Sequence, residues 1–196
     1  MEALLSIDSA IVTWLNQWMG EWGVVDKAAE LVVSDYLVPT LMSLALMSTW
    51  FLARDPSDRA ANQKGVLVAL LGVGFSNLTV LIINQFYFRD RPFVGHELEM
   101  LFYQPTDSSF PANPAAVAFA IAFGVFLYNR ALGVALGGLA SLWVLSRMYS
   151  GVFYLSDGLG GAAIGVSITY VFSLLMRLIE PLPTTVLSTM RRFHLA

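Results

Sequence analysis

The chain has 196 residues, 57% of them hydrophobic and only 13% charged, with a mean hydropathy of +0.66. Soluble domains usually carry about 25% charged residues, so this composition excludes an ordinary soluble domain and places the chain in lipid, as one membrane domain. The absence of cysteine excludes disulfides and thiolate metal sites, and a formal charge of −3 is too small to argue for a nucleic-acid partner.

The start, MEALLSIDSA, is acidic and lacks the cationic region of a cleaved signal peptide, so none is expected. Leu4, Ile7, Ile11, Trp14 or Leu15, and Trp18 recur at helical spacing, with Asp8, Thr13, Asn16 and Gln17 on the other face. This pattern predicts an amphipathic helix that either lies at the membrane surface with its tryptophans at head-group level or caps the bundle. Residues 24–33 continue as a second short helix. The first predicted span is 36–53, followed by the polar stretch RDPSDRAANQK and a second span over 66–83. Residues 84–112 form the longest non-hydrophobic segment. Spans over 115–128, 132–145 and 158–176 complete an all-α integral membrane bundle of about five transmembrane helices, with N-terminal interfacial helices added. The expected organisation is therefore an N-terminal region (1–35), a membrane domain (36–178) and a cytoplasmic tail (179–196). Gly133 with Gly137, and Gly161 with Gly165, have the spacing that lets helices approach closely.

Charge gives an orientation. The 54–64 loop, the turn at 129–130 and the C-terminus hold Arg54, Arg59, Lys64, Arg130, Arg177, Arg191 and Arg192, seven of the eleven Lys and Arg residues. Lys27, Arg89, Arg91 and Arg147 fall on the other side. The positive-inside rule then predicts a bacterial-type plasma-membrane protein with a cytoplasmic C-terminus and extracytoplasmic 84–112 and 147–156 loops.

Three clusters share that extracytoplasmic face: NQFYFRDRPF (84–93), SSFPANPAAVAFA (108–120) and SRMYSGVFYLSDGLGGAAIG (146–165). An arginine at the end of an apolar helix is expensive to desolvate without a partner. Arg91 and Arg147, converging, would make a fork for phosphate or carboxylate. The plainer alternative pairs Arg147 with Asp157 and lets Arg89 and Arg91 snorkel to head groups.

In order and spacing, residues 30–176 resemble the type 2 phosphatidic acid phosphatase superfamily, which includes bacterial undecaprenyl pyrophosphate phosphatases and the vanadium haloperoxidases. That family carries Lys, six residues, Arg-Pro; then Pro-Ser-Gly-His; then Ser-Arg, five residues, His, three residues, Asp. Arg91, Pro92, Pro111, Ser146, Arg147 and Asp157 stand where the family has the same residues. Asn84 stands in place of the lysine. Ala112-Asn113-Pro114 replaces Ser-Gly-His, so the general acid becomes Pro114, and Phe153 stands in place of the nucleophilic histidine.

The resemblance implies a phosphohistidine mechanism whose two histidines are missing. Phenylalanine has no lone pair to attack phosphorus, and proline donates no proton. Of the two histidines in the chain, His194 lies in the tail on the wrong side, and His96 lies five residues beyond Arg91 in the loop. His96, or Asp157 as a direct nucleophile, is a weak catalytic candidate. The acidic residues Asp90, Glu97, Glu99 and Asp107 lack ligand spacing, so neither a metal nor a cofactor is expected. Three readings follow. The first is a catalytically degenerate member that binds a phosphate or pyrophosphate lipid head group through Arg91, Arg147 and Asp157, with Asn84 and Asn113 as neutral donors. The second is a lipid phosphatase or phosphotransferase rebuilt around His96 or Asp157. The third is a structural membrane subunit. The expected partners are membrane lipids, with a partner membrane protein or a second copy of the chain as further options.

Overall fold

The computed structural model describes residues 2–51 and 55–192, apart from the side chains of 2–4, 56–57 and 190–192. Arg54 and His194 lie outside the described residues, as do the side chains of Arg191 and Arg192. In chain order the helices are α1 (Glu2–Asn16), α2 (Gly23–Val33), α3 (Leu37–Phe51), α4 (Pro56–Phe86), α5 (Pro92–Gly95), α6 (Asn113–Phe126), α7 (Arg130–Tyr149), α8 (Leu155–Leu178) and α9 (Leu182–Arg192).

Helices stand at all five predicted spans, as α3, α4, α6, α7 and α8. Length separates them. Asp58–Phe86, Arg130–Tyr149 and Leu155–Leu178 are long and apolar enough to cross a membrane, and the pair α2–α3, bent by 55°, makes a fourth if it counts as one span. At 14 residues α6 is shorter, about 21 Å at 1.5 Å per residue. It does not face lipid along its length. Ala115, Ala116, Ala118, Ala120 and Ala122 are all buried within it, and it packs against α4, α7 and α8. A helix apolar on every side belongs at the centre of a bundle.

Small residues set how closely these helices meet. A Cβ added at Gly161 would lie 2.2 Å from the Ala112 carbonyl oxygen, and one at Gly165 would lie 2.2 Å from that of Ala116. The glycine face of α8 thus rests on the backbone of α6. Gly133 is crowded by the Phe126 backbone, whereas Gly137 has open space. Of the two predicted pairs, only 161/165 contributes both glycines to close packing. One apolar cluster then joins α3, α4, α6 and α7 through Met42, Val66, Ile121 and Trp143.

Two elements depart from expectation. The polar stretch before the second span is helical, because Pro56 opens α4 at its first turn with Asp58 beside it, both favourable at a helix N-terminus. The expected tail forms α9, anchored by buried Leu187 and by an ion pair between Lys64 and Glu180.

The close α6–α8 contact gives a testable outcome. Gly165→Val must displace a backbone carbonyl and is expected to destabilise the protein by about 1–3 kcal/mol. Gly137→Ala should be neutral or stabilising by up to about 1 kcal/mol. Thermal melting in detergent distinguishes the two, and equal melting temperatures would refute the packing argument.

Candidate functional site

The loops 87–112 and 150–154 meet at one end of the bundle, and Asp157 is the junction. It lies in the first turn of α8 and is fully buried. Its Oδ2 accepts the Tyr154 N–H at 2.8 Å and the Ser109 hydroxyl. Its Oδ1 accepts from Arg89 Nη1 at 2.6 Å. Its backbone carbonyl accepts the Ala112 N–H at 3.0 Å, which ties the entrance of α6 to the start of α8.

Arg89 extends the network. Nη1 also donates to the Ser156 hydroxyl at 2.7 Å, and Nη2 donates to Asp8 Oδ2, on α1, at 2.9 Å. The guanidinium sits 4.3 Å from the Tyr154 ring centroid, a cation–π distance. Burial works against the charged form of Arg89, but hydrogen bonds and attraction from Asp8 and Asp157 prevail, and its pKa is raised.

The other arginines turn elsewhere. Arg91 donates through Nε and Nη2 to the carbonyl and side chain of Asp107, at 3.0 and 2.9 Å, and through Nη1 to the Val152 carbonyl at 2.9 Å. Arg147, only 3% exposed, donates to Asp35 and to the Val33 carbonyl, at the corner between α2 and α3. Its guanidinium carbon lies 4.7 Å from the ring centroids of both Phe102 and Trp143.

The expected pairing of Arg147 with Asp157 therefore does not form. Arg147 ends α7 facing the N-terminal helices, whereas Asp157 faces the loop that carries Arg89. Arg91, Arg147 and Asp157 share one end of the bundle but each has a separate partner set. Nor do Arg89 and Arg91 snorkel freely, since carboxylates of the same chain hold them. Asn84 and Asn113 lie at this end too, and the side-chain oxygen of each is buried without a hydrogen-bond partner. Asp8, Arg89, Asp35 and Asp107 were not singled out from sequence as site residues. The one available signal was the Arg-x-Arg spacing of Arg89 and Arg91.

Phe153 and Pro114 are the two positions set against the family's histidines. Phe153 is 1% exposed and packs with Ala112, Ala115, Met148 and Val152. Pro114 sits in the first turn of α6 and has no donor. His96 follows α5, closes it with its own backbone N–H on the Pro92 carbonyl, and is no member of the Asp157 network. Among the described residues no group of three His, Cys, Asp or Glu side chains could hold a metal ion.

Residues 65–180 match the PAP2 superfamily. The chain belongs to that superfamily. It is 29% identical over 153 residues to the undecaprenyl-diphosphatase BcrC of Bacillus subtilis (strain 168), covering 76% of this chain and 74% of that protein. It is also 29% identical over 133 residues to the bacitracin transport permease protein BcrC of Bacillus licheniformis, covering 67% and 63% respectively. Two solved structures share the fold at 21% identity. The PAP2-type phosphatidylglycerolphosphate phosphatase of Bacillus subtilis has a TM-score of 0.65 over 92% of this chain and 90% of that one. LpxE of Aquifex aeolicus has a TM-score of 0.63 over 85% and 94%. A PAP2 membrane fold is thus joined to loops in which Arg89, Arg91 and Arg147 are each held by a carboxylate.

The partner assignment can be measured by coupling. A double-mutant cycle on Arg89 and Asp157 should give an interaction energy of about 0.5–3 kcal/mol, and one on Arg147 and Asp157 should fall within about 0.5 kcal/mol of zero. The reverse ranking would contradict these geometries. At Phe153, Phe153→Ala should lower stability by about 3–5 kcal/mol, as for other buried phenylalanines, and an unchanged melting temperature would show that the side chain is not part of the core.

Proposed function

We propose that this protein is a catalytically degenerate PAP2 member that binds a phosphorylated or pyrophosphorylated lipid head group at its motif end without hydrolysing it. The observation that carries this reading is the sealed Phe153. The position matched to the phosphohistidine nucleophile is filled by a core side chain, while Arg89, Arg91 and Arg147 stand at the same end of the bundle. Phosphoryl transfer by the family route needs a nucleophile and an acid. Phe153 and Pro114 supply neither, and both Asp157 oxygens are already engaged in hydrogen bonds. Guanidinium groups and amides, by contrast, suffice to hold phosphate. The name of the Bacillus subtilis relative points to a diphosphate-bearing polyprenyl lipid as the first ligand to try. The seven-to-four split of Lys and Arg read from the sequence supports an extracytoplasmic site and a cytoplasmic C-terminus.

A second reading has its own support, because every one of these arginines already has a carboxylate. On that reading the network is static and the protein is a structural subunit.

Purified protein should show no turnover of phosphatidic acid or undecaprenyl diphosphate, with or without divalent metal. Turnover on the order of 1 per second or faster, lost in Asp157→Asn or His96→Ala, would establish rebuilt catalysis instead. In binding, Arg91→Ala should weaken affinity for the diphosphate lipid by about 1.5–3 kcal/mol, the worth of a charged hydrogen bond, with neutral lipids little affected. Unchanged affinity in both Arg91→Ala and Arg147→Ala, accompanied by lowered melting temperatures, would favour the structural reading.

A further inference from the structure

The longest of the described helices carries an amide where water cannot pair with it. Asn77 lies in the part of α4, Asp58–Phe86, that is long and apolar enough to cross a membrane. It stands about 9 Å inside the nearer end of the span predicted over 66–83, at 1.5 Å per residue. The side chain is partly exposed, and among the described residues none forms a hydrogen bond with it. Hydrocarbon offers no partner either, and an unpaired amide there is costly. The bundle's own helices leave this flank open. They bury Gly72, Ser76 and Val80 on α4, whereas Leu70, Leu78 and Leu81 are exposed. A Cβ added at Gly74, one turn from Asn77, would meet nothing within 4 Å.

The residues around Asn77 repeat with a period. Leu67, Leu70, Gly74, Asn77 and Leu81 are spaced 3, 4, 3 and 4 residues apart, the heptad seam by which two helices wind about each other. Membrane helices associate through such seams where small residues let the backbones approach and polar side chains bond across. Gly74 supplies the first condition and Asn77 the second. Toward the start of α4 the seam borders an apolar groove of about 490 Å³ between α3 and α4, whose walls include Met47, Trp50, Leu67 and Leu70. That groove has room for the leucines of a facing helix.

We propose that this seam is the interface of a homodimer, in which the Asn77 side chains of two copies hydrogen-bond to each other. Two copies inserted in the same sense have parallel α4 helices, related by a twofold axis along the membrane normal. Residues on a parallel seam then meet their own counterparts. An amide is self-complementary, because it carries both a donor and an acceptor, whereas two carboxylates or two ammonium groups would repel. A single polar residue in such a seam also fixes its register. The surface lies outside the motif residues and does not depend on what they bind.

The absence of cysteine makes the test clean. Gly74→Cys supplies a sole thiol on the seam, and Val171→Cys supplies one at an exposed position of α8, as a measure of random collision. Each full-length variant is reconstituted in phosphatidylcholine liposomes at low protein density and oxidised with iodine, which enters lipid. Gly74→Cys is expected to give an adduct of twice the 21.5 kDa chain mass, about tenfold faster than Val171→Cys, as helices held in contact require. Leu81→Cys, on the same seam, gives the same readout should Gly74→Cys melt early. Adding Asn77→Leu should lower the yield roughly threefold to tenfold, the worth of an interhelical hydrogen bond in lipid. Asn77→Gln keeps the amide and should retain most of the yield. Seam thiols that cross-link no faster than Val171→Cys, in protein that melts as the parent does, overturn the proposal and leave this flank to lipid. An adduct insensitive to Asn77→Leu also overturns it. The same oxidation in native membranes closes the test, where an adduct of any other mass assigns the seam to a different protein and equally overturns the homodimer.

Discussion

A guanidinium withdrawn from water at the end of a membrane bundle must meet an anion, and this requirement organises the motif end of the protein. Arg89, Arg91 and Arg147 are all nearly buried, and desolvating an unpaired charge costs several kcal/mol even after relaxation. Each is met by a carboxylate from a different stretch of chain. Asp8 and Asp157 meet Arg89, Asp107 meets Arg91, and Asp35 meets Arg147. Two of these carboxylates lie in the first 35 residues. The N-terminal helices are thereby part of the charge balance of the bundle rather than an appendage to it.

This requirement acts separately from the contact that shapes the motif end. The α6–α8 contact depends on small residues whose backbones touch, and nothing in it involves a histidine. The Phe153 ring joins Met148 and Val152 in an apolar cluster. The arginines, withdrawn from water, need anions. The chain supplies these itself, from Asp8, Asp35, Asp107 and Asp157.

Much of this was legible in the sequence. Long apolar runs fix where the helices fall, because backbone groups in lipid have no partner but their own helix. The Gly161/Gly165 spacing indicates a face for close approach, and the motif order indicates which loops meet. That Phe153 and Pro114 offer no nucleophile or acid is read directly, since a side chain without a lone pair or a proton has none in any fold.

Which charge pairs with which was not legible. Asp8 looked like the polar face of an interfacial helix, and Arg147 was read either as half of a fork with Arg91 or as the partner of Asp157. Ion pairing depends on direction and distance in three dimensions, and the choice among Asp8, Asp35, Asp107 and Asp157 was made only when α1, α2 and α7 packed. Helix positions and the loss of the histidines were thus local properties, fixed by solvent preference and side-chain chemistry. The matching of each arginine to its carboxylate belonged to the tertiary structure, because an electrostatic partner is whatever charge the fold brings within a few ångströms.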